Sequence, residues 1–138
     1  MKETFKIKRS YAGMKGYVAV QGGVYSESNR HTWDSEILID GQWYKIPDHI
    51  EDYAFKHLIQ AIDIEYIDSY GSKRQYTLGR NTELPVKVIW DKNKTWDYTP
   101  KDGDVFDGYG IELDPIKLVS KNEKLIRYNI IWSKNLNI

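Results

Sequence analysis

The sequence has no cysteine, only three histidines and two methionines, no long apolar run, and no excess of charge of either sign. Without cysteine there is no disulfide framework, no thiolate metal site and no cysteine nucleophile. Without a long apolar run there is no segment to span a bilayer as a helix. The opening "MKETFKIKRSYAG" alternates charged and apolar residues and lacks the continuous apolar core of an export signal, so a cytoplasmic location is the expectation. Twenty basic residues balance twenty acidic ones, so no bulk attraction to nucleic acid or membrane is expected. The sequences of a nucleophile elbow, a phosphate loop and a dinucleotide fingerprint are also missing, and catalysis has no positive signal.

Aromatic residues are what the chain has in quantity: five Trp and eleven Tyr in 138 residues, which favour strand surfaces, cores and contact sites. Charge is unevenly spread. Residues 1–15 carry five basic residues against one acidic, and residues 115–138 the same, whereas residues 47–68 carry one against six and residues 91–114 three against seven. If both termini lie in one sheet, this distribution gives a basic and an acidic side that orient a charged partner.

The chain reads as one unit, with no linker, repeat or low-complexity run. "TFKIKR" and "GYVAVQ" alternate with the period of half-buried strands, and the polar "YSESNRHTWD" after Gly22-Gly23 reads as a loop. "SEILIDGQWYKI" is a hairpin around Asp40-Gly41, because both positions of a type I′ turn need positive φ. Its register pairs Ile39 with Gln42, Leu38 with Trp43, Ile37 with Tyr44 and Glu36 with Lys45, setting opposite charges across from each other. From Asp48 to Asp63, a capping pair of Asp48 and Glu51 precedes Ile50, Tyr53, Ala54, Leu58, Ala61 and Ile62 at helical spacing, which predicts one amphipathic helix over about 48–63. "KRQYTL", "VKVIWD" and "KLIRYNIIW" are strand-like; the second puts Val86, Val88 and Trp90 on a buried face, and the third puts Ile126, Tyr128, Ile130 and Trp132 together. The expected fold is therefore α+β: a single domain with a curved, mainly antiparallel sheet or partial barrel of about six to seven strands and one helix packed on it.

The longest stretch without periodicity, Lys92 to Asp107, leads into "DGDVFDGYGIELD". Calcium loops place carboxylates at alternate positions and a glutamate at the twelfth. Here Asp102, Asp104 and Asp107 are spaced one residue too far and Glu112 comes one too early, so the register fails twice, and no metal is expected. The same residues read more simply as a turn over 101–103, with Gly108 and Gly110 marking a bulge or a second turn before the strand "IEL". A metal-dependent hydrolase built on the 102–112 loop is the third-ranked reading. His31, three residues before Asp34, is the one imidazole placed near a carboxylate for proton transfer, and more simply a solvated loop histidine; His49 and His57 lack a third metal ligand.

The leading expectation is a small non-catalytic binding protein, inhibitor-like or immunity-like. It would recognise a protein partner, of basic character, through an acidic aromatic loop made of Trp96, Asp97, Tyr98, Asp102, Asp104, Asp107 and Tyr109. The second is a small-ligand or nucleotide module using aromatic stacking with Arg74, Arg80 and Arg127. A nucleic-acid surface of Lys6, Lys8, Arg9, Lys124 and Arg127 beside Tyr11 or Tyr128 is disfavoured by the zero net charge. No cofactor is expected. A long unpaired strand is a template for a second copy, so a homodimer stays open.

Overall fold

A computed structural model describes residues 2–21, 24–47, 50, 52–90, 101, 103–134 and 136; the side chains of 14–21, 24–31, 52, 53 and 107 fall outside that description. Among the described residues, eight strands form two antiparallel sheets around one core. They are β1 (Glu3–Gln21), β2 (Val24–Ile39), β3 (Gln42–Lys45), β4 (Ile59–Ile67), β5 (Lys73–Gly79), β6 (Val86–Ile89), β7 (Val105–Leu113) and β8 (Lys124–Trp132). The larger sheet runs β3-β2-β1-β7-β6 and the smaller β5-β4-β8.

The fold is all-β, and the expected α+β architecture is wrong: among the described residues there is no α-helix, only 3-10 turns at Asp52–Leu58 and Pro115–Leu118. The predicted helix over 48–63 divides into the first of these turns and the start of β4; its capping residues Asp48 and Glu51 lie outside the described residues. The reason lies in "IQAIDIEYI", which carries four isoleucines in the nine residues of β4. Such β-branched side chains lose rotamer freedom in a helix and pack well on a pleated surface. Flanked by β5 and β8, this stretch buries Ile62 and Ile64 in the core at strand spacing, and tertiary pairing overrides the helical pattern.

The Asp40-Gly41 hairpin forms in the register expected, with both turn residues at positive φ, 51° and 81°. The polar stretch after residue 23 is not a loop but most of β2, and "TFKIKR" and "GYVAVQ" are parts of one long β1. Between Tyr11 and Met14 the β1–β2 register slips by one residue; Gly13 sits there at φ 90°, its carbonyl accepting the Thr32 hydroxyl at 2.8 Å. Glycine is suited to such a bulge because it carries no penalty at positive φ.

Inward rows of both sheets make the core: Phe5, Ile7, Ile37, Ile111 and Leu113 from the larger sheet meet Ile59, Ile62 and Ile64 from the smaller. Phe5 packs edge-on against Trp132 at 4.9 Å, and the Tyr128 hydroxyl donates to the Glu3 carboxylate, so β8 is tied to β1 across the layers. Leu125, Tyr128, Ile130 and Trp132 are the residues of β8 that pack on the core. Ile126, expected on that face, is 44% exposed, because the β4–β8 register slips between Glu65 and Tyr66 and leaves Ile126 without an opposite residue.

Candidate functional site

The inward row of β1 begins Phe5, Ile7 and continues as Arg9 and Tyr11, all buried. A guanidinium on a core row has to be compensated, since burying an unpaired charge is costly. Arg9 lies over the Trp33 ring at 4.4 Å and the Tyr109 ring at 5.1 Å. Trp33 in turn packs against Tyr11 at 5.2 Å and Phe106 at 5.3 Å, and Tyr109 meets Trp90 edge-on at 6.1 Å. Cation–π contacts contribute about 0.5–1 kcal/mol each at exposed sites and more where water is excluded. Strand pairing assembles the cluster: Arg9 stands opposite Ser35 and Phe106, Tyr11 opposite Trp33, and Tyr109 opposite Ile7.

Among the described residues, the larger sheet narrows at this cluster. The β1–β7 ladder ends at Ser10 and Val105, and beyond it the Tyr11 N–H donates to the Asp104 carbonyl and the Gly103 N–H to the Tyr11 carbonyl. On the other side β3 leaves β2 at Glu36. From Met14–His31 to Gln21–Val24, β1 and β2 pair with each other alone among the described residues, forming a two-stranded ribbon.

The predicted contact loop meets the structure only in part. Trp96, Asp97, Tyr98 and Asp102 lie outside the described residues, as does the side chain of Asp107. Asp104 closes a tight turn: its carboxylate accepts the Lys101 N–H at 2.9 Å, its own N–H donates to the Lys101 carbonyl at 3.0 Å, and Gly103 takes φ 86°. Tyr109 is half-buried beneath Arg9 rather than free. Trp90, expected inside, lies just past β6 and is 46% exposed. Residues 105–113 are strand rather than a calcium-type loop, with the bulge falling between Phe106 and Tyr109, and no metal-holding cluster occurs among the described residues.

The alternative residue sets are not assembled. Arg74 pairs with Asp68 at 3.0 Å, Arg127 with Glu65, and Arg80 donates to the His57 carbonyl at 2.6 Å. Glu65, buried on the outer side of the smaller sheet, also takes Lys73 at 2.8 Å; the hydrogen bonds from Lys73 and Arg127 hold its carboxyl below the ordinary range. Asp68 is lowered as well, first by the Ser72 N–H and then by Arg74. The proposed basic surface does not form, because Arg9 points into the core while Lys124 and Arg127 belong to the other sheet. His31 stands in the ribbon opposite Met14, not in a loop.

Sequence reasoning missed the Arg9 cluster and the ribbon. The first had a signal, since the alternation that buries Phe5 and Ile7 also points Arg9 and Tyr11 inward. The chain matches no protein-family model, no curated protein and no solved structure.

Proposed function

We propose that this chain is a non-catalytic binding protein that takes a protein partner at the end of the larger sheet, where the β1–β2 ribbon departs. The acidic aromatic stretch from Trp96 to Tyr109 contributes to the same contact. One observation carries the reading: among the described residues, the paired segments 14–21 and 24–31 each have a backbone edge with no strand partner. An open backbone edge is a template for adding a strand. Main-chain pairing of this kind supplies affinity, and side chains beside it supply specificity. The turn at 101–104 adjoins the ribbon's root through Tyr11, and residues 91–114 carry seven acidic against three basic residues, which favours a basic partner.

The test replaces residues 14–31 with an Asn-Gly turn joining Gly13 to Thr32, and compares crosslinked partners of this variant and the intact chain in host extract. A defined protein captured by the intact chain, lost with the ribbon and weakened by salt supports the reading. Identical capture by both chains overturns it. A Trp96→Ala/Tyr98→Ala variant then measures what the loop adds.

A further inference from the structure

On the outer face of the smaller sheet, Ala61 of β4 stands directly opposite Gly79 of β5. A methyl group facing a hydrogen leaves a hollow where neighbouring pairs carry larger side chains. The hollow is an open groove of about 490 Å³, within the range of small-molecule sites, and its rim holds Gln60, Arg80, Asn81 and Lys134. Among the described residues, no carboxylate lines it.

The two cations on this rim differ from their neighbours. Arg74, Arg127 and Lys73 on the same sheet are each neutralised by Asp68 or Glu65. Arg80 and Lys134 meet no carboxylate among the described residues, and Arg80 donates through Nη2 to the His57 carbonyl. That bond uses one of five donors and leaves the rest of the fork for a ligand. Asp63, further along the face, accepts the Thr77 hydroxyl at 2.5 Å and borders the adjoining depression instead.

We propose that this groove binds a small phosphate monoester. A guanidinium offers a planar fork and an ammonium a mobile point charge, and together they match the near-double negative charge of a monoester better than a single carboxylate. Gln60 and Asn81 supply amide groups that donate and accept to the remainder of the molecule. The site is separate from the partner surface at the ribbon and does not depend on it.

The experiment is a heteronuclear NMR titration of the intact protein with phenyl phosphate, with benzoate and inorganic sulfate as comparisons. Saturable shifts confined to amides near 60–61, 79–81 and 133–134, with benzoate weaker by about tenfold or more, are the expected result. Lys134→Gln weakens binding. Gly79→Val is the sharper variant: a Cβ at Gly79 has nothing within 4 Å, so the fold accommodates the side chain, whose methyl groups intrude into the hollow and weaken binding. Shifts scattered over surface lysines, equal response to sulfate, or undiminished binding by folded Gly79→Val overturn the proposal.

Discussion

The Tyr128 hydroxyl donates to the carboxylate of Glu3, joining β8 of the smaller sheet to the first residue of β1 in the larger one. Burial and this negative neighbour push the Tyr128 phenol up to about 12. The folded state thus favours the neutral phenol more than the unfolded chain does. The resulting stabilisation is complete below the ordinary tyrosine value of 10 and is lost as pH rises from there towards 12. Tyr128→Phe is expected to lower stability by about 1 kcal/mol in denaturant melts at neutral pH. It should also remove a step near 12 from an absorbance titration of the tyrosines; an unchanged titration would show that the phenol is not held this way.

Glu65 gives the opposite dependence. Its carboxyl is held below 4.5 by Lys73 and Arg127, so the charged pair supports the fold above that value and the support fades as pH falls through the lower, folded value. Glu65→Gln leaves both cations without their carboxylate and is expected to destabilise at neutral pH while flattening the acid limb of a stability–pH curve. Parallel acid limbs for the two proteins would contradict this.

Gly110 has a steric role that needs no positive φ. A Cβ there would stand 2.8 Å from the Phe5 carbonyl oxygen, backbone against backbone on the paired strands β1 and β7. Gly110→Ala is therefore expected to cost about 1–3 kcal/mol, because neither strand yields without disturbing its ladder. Thermal unfolding measures it, with Gly79→Ala as the control, since a Cβ there meets nothing within 4 Å.

Two isoleucines separate what a strand buries from what a bulge releases. Ile62 is wholly buried, and Ile62→Ala is expected to cost about 2–5 kcal/mol. Ile126, displaced by the register slip, should cost under about 0.5 kcal/mol on the same change. Equal losses would mean that Ile126 packs in the core after all.

These contrasts show how far the sequence is legible. Asp40-Gly41 announces its hairpin because the information is local: two residues that accept positive φ, flanked by alternating strands. The polar residues of "YSESNRHTWD" carry no alternation, so their strand state comes from the partner β1 and cannot be read from the stretch itself. In β4 a helical spacing coexists with isoleucine-rich strand composition, and only the presence of two flanking strands decides between them. Of the site, the alternation from Phe5 to Tyr11 already places Arg9 inside. The partners that shield it, Trp33, Phe106 and Tyr109, come from other strands and are visible only in the fold.

β1 passes from the core into the ribbon as one strand, with the Gly13 bulge at the junction, and its ribbon residues 14–21 span roughly 25 Å at strand rise per residue. The base of the ribbon lies beside Tyr11 and Trp33, two residues from the stacked Arg9. The paired residues Tyr11 and Trp33 therefore belong at once to the base of the ribbon and to the aromatic stack around Arg9.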